Sequence, residues 1–240
     1  MTVVPYQHLE GSKKEQVRSM FNNIARRYDF LNNVLSFGID KYWRRRAIRE
    51  LKKENPKQLL DMATGTGDFA IACLKLNPDH IIGIDLSPGM LEFGRQKLNA
   101  KSLQHKIELV EGDSEQIHFG DNYFDAATVA FGVRNFENLA QGLKELHRVI
   151  KPNGVLVVLE FSQPGNPLFS AIYSFYFKNI LPLIGKLFSK DFAAYNYLYE
   201  SVQAFPYGEQ FKQVMLDSGF SNTKIIPLTL GICTIYVGRK

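Results

Sequence analysis

Only two cysteines occur in the 240 residues, Cys73 and Cys233, far apart and in no metal-ligand spacing. That excludes a disulfide framework and suits a reducing cytoplasm. No apolar run reaches the roughly 20 uninterrupted residues that a membrane-spanning helix needs. The nearest approach, LFSAIYSFYFKNILPLIGKLF (residues 168–188), is broken by Lys178, Asn179, Pro182, Gly185 and Lys186. The opening MTVVPYQHLEGSKKEQ is polar and has no apolar core of a secretory signal, so none is expected. The phosphate-loop pattern G-x-x-x-x-G-K-[ST] is missing, as are internal repeats and low-complexity segments. No cluster with metal-ligand spacing is present, so no metal is expected. There is one tryptophan, Trp43, read as a packing anchor in preference to a ring that stacks on a substrate.

What is present is a 45% apolar fraction, enough for a buried core. The net charge of +5 is mild, and much of it sits in WRRRAIRELKK (residues 43–53). A solvated helix face is one reading, and attraction to an anionic membrane surface is another. Nucleic acid is not expected, because no aromatic–basic module accompanies the charge. The length is long for one domain and short for two, and no Ser/Gly-rich linker divides the chain. The expectation is one folded unit over residues 55–240 with a helical extension, or lid, over residues 1–54.

Helices are expected over residues 13–33, where Val17, Met20, Phe21 and Ile24 share a face, and over 40–54, stopped by Pro56. From residue 57 the pattern alternates. Strands KQLLDMA, IIGIDLS, KIELVEGD, FDAATVAFG and GVLVVLEFS are separated by helical stretches, of which LAQGLKELHRVI stops at KPNG. Such alternation implies right-handed crossovers and a parallel α/β sheet, and nearly all-apolar strands imply helices on both faces. After a helix over GEQFKQVMLDSG, the stretch NTKIIPLTLGICTIYVGRK reads as two strands around Gly231 forming an antiparallel C-terminal edge, seven strands in all.

Ligands of open α/β sheets sit beyond the carboxyl ends of the strands. Candidate residues fall there: Gly65, Thr66 and Gly67 after the first strand, Asp85 at the end of the second, Asp113 and Ser114 at the third, Arg134 and Asn135 after the fourth. Gly65, Gly67 and Ala70 also fit the dinucleotide pattern G-x-G-x-x-G/A. A dinucleotide would rest its pyrophosphate on the following helix N-terminus. Here Asp61 precedes the turn and Asp68 opens that helix, and two carboxylates oppose a pyrophosphate. They suit S-adenosylmethionine, which carries a sulfonium and an ammonium and no phosphate. Glycines let backbone approach the ligand. Asp85, 18 positions after Gly67, can accept both ribose hydroxyls. Asp113 can accept from an adenine amine while the Ser114 N–H contacts the ring. For each acid, helix capping is the alternative.

The stretches DMATGTGDF, GIDLSPGML, EGDSEQIHF and HRVIKPNGVL resemble the successive motifs of class I S-adenosylmethionine-dependent methyltransferases, with their Rossmann-like sheet. YDFLNNVLSFGIDKYWRR (residues 28–45), RVIKPNGVLVVLEFSQP (148–164) and FGVRN (131–135) resemble the signatures of the ubiquinone/menaquinone biosynthesis C-methyltransferase family. The chain departs at Asp40, where a histidine is usual, and at Asn153, where a glycine is usual. Asn tolerates left-handed backbone, so that turn can survive. The serine that some members carry before FG is Ala130 here, so its cofactor contact is not carried over.

The resemblance implies that Thr66, Asp85, Asp113 and Ser114 hold the cofactor. It implies methyl transfer to a ring carbon of a prenylated quinol: a demethylmenaquinol, or in the ubiquinone branch a methoxy-benzoquinol. Another lipophilic acceptor stays as an alternative, as does a nicotinamide-dependent oxidoreductase. Arg134, with water oriented by Asn135, is expected to stabilise phenolate character, unless it pairs with Asp29 or another acid to pin the N-terminal helices. Tyr28, Asp29 and Asn32 are expected to face the pocket from the lid. The six Phe and Tyr residues from Phe169 to Phe188, both included, read as a core helix or as a groove for a prenyl tail. The expected setting is cytoplasmic, with transient contact at the inner face of the membrane; a homodimer is left open.

Overall fold

The computed structural model describes residues 3–7, 9–36, 38–165 and 192–240. The aromatic stretch between Phe169 and Phe188 lies outside them.

Two helices, α1 (Lys13–Leu35) and α2 (Ile39–Leu51), precede a strand–helix alternation. It runs β1 (Gln58–Met62), α3 (Asp68–Cys73), β2 (His80–Asp85), α4 (Pro88–Ala100), β3 (Ile107–Glu111), β4 (Phe124–Ala130), α5 (Leu139–Val149) and β5 (Ile150–Phe161). Helices α6 (Phe192–Ala204) and α7 (Glu209–Asp217) lead to β6 (Ser221–Leu228) and β7 (Cys233–Arg239). The seven strands form one sheet in the order β3-β2-β1-β4-β5-β7-β6. The first five are parallel, and β7 runs antiparallel to both β5 and β6.

Strand periodicity divides the core into two layers. Leu59, Ile81, Ala126, Val157 and Ile235 pack under α2, α3 and α4, while Leu60, Ile82, Ala127, Val158 and Tyr236 pack under α5 and α7. Helix starts follow local chemistry. Ser87 caps α4 by accepting from the Met90 N–H, with Pro88 in the first turn, and Asn138 caps α5 by accepting from the Gln141 N–H. Pro227 sits on the edge strand, the place where a sheet tolerates a missing N–H.

The expected turn at KPNG is drawn into the strand. Pairing of β5 with β4 begins at Ile150, skips, and resumes at Val155, and Asn153 takes the left-handed conformation at φ 66°. The register jump accommodates the whole turn without ending β5.

Candidate functional site

The strand order reverses between β1 and β4, and a crevice opens beyond their carboxyl ends. It is an open cleft, enclosing about 680 Å³ when the space open to solvent is counted. Backbone forms much of its floor. Gly65 and Gly67 both have positive φ, 59° and 80°, where a side chain would be strained. Two residues without that excuse also sit left-handed, Ala63 after β1 (φ 55°) and Phe131 after β4 (φ 57°), and both line the cleft. Between them Gly132 is forced: a Cβ there would lie 2.5 Å from the Ala63 Cβ. The two strand tips meet as closely as a glycine allows.

The carboxylates divide into two sets. Asp85 lines the cleft and accepts the N–H groups of Gly65 (2.7 Å) and Ser87 (2.9 Å). Burial pushes its carboxyl up to about 6, against the pull of these backbone donors. Asp113 and Ser114 also line the cleft. Asp61 does not: buried behind β1, it accepts the hydroxyls of Thr64 (2.6 Å) and Thr128 (2.7 Å), and burial raises it to about 6. Asp68 pairs with Lys97 at 2.6 Å and lies 3.6 Å from Arg44. The acids that line the cleft are Asp85, Asp113, Glu115 and Glu137, whereas Asp61 and Asp68, the two nearest the glycine turn in sequence, are held in contacts with other protein groups.

Helix α1 lies across these strand tips. Lys14 pairs with Asp113 at 2.6 Å, Arg18 with Glu111, and Lys97 with Asp29 at 2.6 Å. Asn22 accepts the Ser87 hydroxyl (2.7 Å) and the Gly89 N–H (2.9 Å), and Asp29 accepts the Thr66 hydroxyl (2.5 Å). Lys13 donates to the carbonyls of Arg134 and Phe136. Tyr28 lines the cleft, and burial raises its phenol while Arg134 and Arg44 oppose the rise. Asn32 does not reach the cleft lining, and Thr66 turns toward Asp29.

Arg134 pairs with Glu160 at 2.7 Å, not with Asp29. Both are almost fully buried, and burial raises the Glu160 carboxyl although Arg134 holds it down. The guanidinium also donates to the Phe131 carbonyl and stacks over the Phe161 ring at 5.5 Å, while its Nε–H is buried without a partner. Its neighbour Asn135 lines the cleft and accepts from the Tyr197 hydroxyl at 3.1 Å. The arginine thus sits behind the cleft wall and fixes the turn that carries Asn135.

Sequence reasoning missed Glu160, Lys97, Lys14 and Tyr197. A signal existed for Glu160: it is the one acid in the apolar run VLVVLEF, and a buried charge needs a partner. Among the described residues no group of acids, histidines and cysteines could hold a metal, and no helix is long and apolar enough to cross a membrane.

The sequence profile of the ubiE/COQ5 methyltransferase family matches residues 9–240. A demethylmenaquinone methyltransferase of Bacteroides fragilis is 48% identical over 239 residues, 99% of this chain and 97% of that protein. A ubiquinone/menaquinone biosynthesis C-methyltransferase of Geotalea daltonii is 50% identical over 230 residues, covering 95% and 97%. Among solved structures, a SAM-dependent methyltransferase from Aquifex aeolicus matches with a TM-score of 0.55 at 19% identity, over 76% of this chain and 81% of that one, a likeness of fold.

Proposed function

Because the chain belongs to the ubiE/COQ5 methyltransferase family, we propose that it transfers a methyl group from S-adenosylmethionine to a ring carbon of demethylmenaquinol, giving menaquinol. The observation that carries this reading is the cleft at the β1/β4 crossing, where Asp85 and Asp113 stand beside backbone bared by Gly65 and Gly132.

The residues fit the cofactor. Asp85 keeps lone pairs for a ribose diol beyond its two backbone donors, and Asp113 keeps acceptor capacity beside Lys14. Gly65, Thr66 and Gly67 form the turn beneath it, and the Ser114 N–H completes the adenine side. When bound, S-adenosylmethionine supplies an electrophilic methyl on a sulfonium. Four lining acids, Asp85, Asp113, Glu115 and Glu137, outnumber the two lining cations, Lys14 and Arg18, and the surplus of negative charge favours that cation.

Carbon methylation needs an electron-rich ring, so the quinol must gain phenolate character. Asn135, at the cleft wall, orients the quinol hydroxyl or an intervening water, and Arg134 acts through it, holding from behind the turn that carries Asn135. Glu160 offsets the arginine's charge and fixes its direction. The displaced ring proton leaves to solvent. Within residues 1–54 the lid is α1: it sets Tyr28 in the cleft wall, is latched by Asp29 to Thr66 and Lys97, and limits water around the reacting groups. A prenylated acceptor requires the protein to work beside a bilayer.

The test is direct. Purified protein with S-adenosylmethionine and a reduced short-chain demethylmenaquinone should yield the methylated quinone by mass spectrometry. Calorimetry should show S-adenosylhomocysteine binding and no NADH binding. Cofactor binding without turnover of any quinol would remove the acceptor assignment, and the reverse binding preference would remove the whole reading.

A further inference from the structure

We propose that the exposed face of α2 is a docking surface for an anionic lipid bilayer; the proposal deepens the reading of a lipophilic acceptor and rests on it. The helix separates its residues sharply. Trp43, Ala47 and Leu51 face the core with Asp40, and Arg44 on that side is paired with Asp40 at 2.7 Å. Opposite them, Lys41, Arg45 and Arg49 recur at four-residue intervals, so they stack on one stripe. Arg46 flanks it, and Lys52 and Lys53 extend it past the helix end. Among the described residues none of these six cations forms an ion pair, and they are gathered on one face of one helix and just past its end. An unpaired basic stripe on a folded surface is suited to anionic lipid headgroups.

Apolar groups stand in the same region. Ile39 and Tyr42 on α2 are 39% and 46% exposed. Leu230, at 61% the most exposed large apolar side chain among the described residues, sits on the turn that meets the core side of α2, where the Trp43 indole N–H donates to Thr229 at 2.7 Å. A nucleic acid would match the charges but give these side chains no partner, while a bilayer interface accepts both. The buried side of the helix reaches the site: the Trp43 ring lies 6.0 Å from that of Phe131, which lines the cleft. One helix diameter, about 10 Å, and the 6.0 Å between these rings therefore separate headgroups docked on the stripe from the cleft wall.

Co-sedimentation of the full chain with phosphatidylcholine vesicles, with and without phosphatidylglycerol, tests this. Binding should require the anionic lipid and fall steeply with added salt. Neutralising two charges in R45Q/R49Q should weaken partitioning on the order of 30-fold. Thermal unfolding and turnover of a water-soluble demethylated naphthoquinol should be unchanged in that variant. Equal binding to both vesicle types, insensitivity of wild-type binding to salt, wild-type partitioning by R45Q/R49Q, or tighter binding to a structureless RNA than to anionic vesicles would each overturn the proposal. Loss of soluble-substrate turnover in the wild-type protein would instead count against the acceptor assignment and leave the lipid measurement standing.

Discussion

Replacing Asp85 with asparagine separates the electrostatics of the cleft from its shape. Asparagine is isosteric, but only one of its two terminal atoms accepts. Either the Gly65 N–H or the Ser87 N–H would then face an amide donor. That mismatch costs about 1–3 kcal/mol locally, and the ligand-facing acceptor is lost as well. The wild-type carboxyl titrates near 6. If cofactor binding needs the ionised form, affinity at pH 5 should be roughly tenfold below its plateau above pH 7, equivalent to about 1.4 kcal/mol.

Stability should move the other way. A carboxyl raised in the folded state binds more protons than its unfolded counterpart between about pH 4 and 6, so the ligand-free protein gains stability as pH falls through that window. Isothermal titration with S-adenosylhomocysteine from pH 7.5 to 5, paired with thermal unfolding in the same buffers, reads both trends. Asp85→Asn should bind at least tenfold more weakly at neutral pH, about 1.4 kcal/mol, and its affinity should be flat across the range. Asp61→Asn should keep the wild-type pH dependence of binding, because Asp61 lies outside the cleft lining. A flat wild-type profile, or tight binding by Asp85→Asn, would refute the reasoning.

Glu160→Ala leaves the Arg134 guanidinium buried and unpaired, which should cost about 3–5 kcal/mol in a urea unfolding curve. Arg134→Lys keeps a charge but loses the planar fork. Turnover should fall about tenfold or more with S-adenosylhomocysteine affinity little changed, and near-normal turnover in folded protein would remove its role in positioning Asn135. Gly132→Ala places a Cβ 2.5 Å from that of Ala63, where neither atom can rotate away. It should destabilise by about 1–3 kcal/mol and weaken cofactor binding, seen as a lower melting temperature and a smaller shift on adding ligand.

The alternating apolar runs already implied the parallel sheet, and the turn glycines already marked the strand ends where the cleft opens. Both are local properties: strand period, left-handed backbone, helix caps. Gly65, Gly67 and Asp85 therefore fell where the sequence put them, and Asn153 adopted the conformation expected of an asparagine in a glycine's place. Partnerships were not legible. Glu160 meets Arg134 only because β5 lies beside β4, and Lys97 meets Asp29 only because α1 crosses α4. Such pairs depend on strand order and helix crossing, which spacing along the chain does not encode. Asp61 misled for a related reason: its position before the turn is local, but its direction is set by Thr128 on a neighbouring strand.

The left-handed backbones of Ala63 and Phe131 differ in what relaxing them would do. Each conformation costs on the order of 1–3 kcal/mol. At Ala63 only a methyl stands against that cost, so an engineer seeking a hardier enzyme would be drawn to glycine there, at the expense of a looser cleft wall and lower turnover. At Phe131 the ring is buried against Trp43 and Phe161, and losing it would cost about 3–5 kcal/mol, so the side chain itself holds that backbone in its strained form.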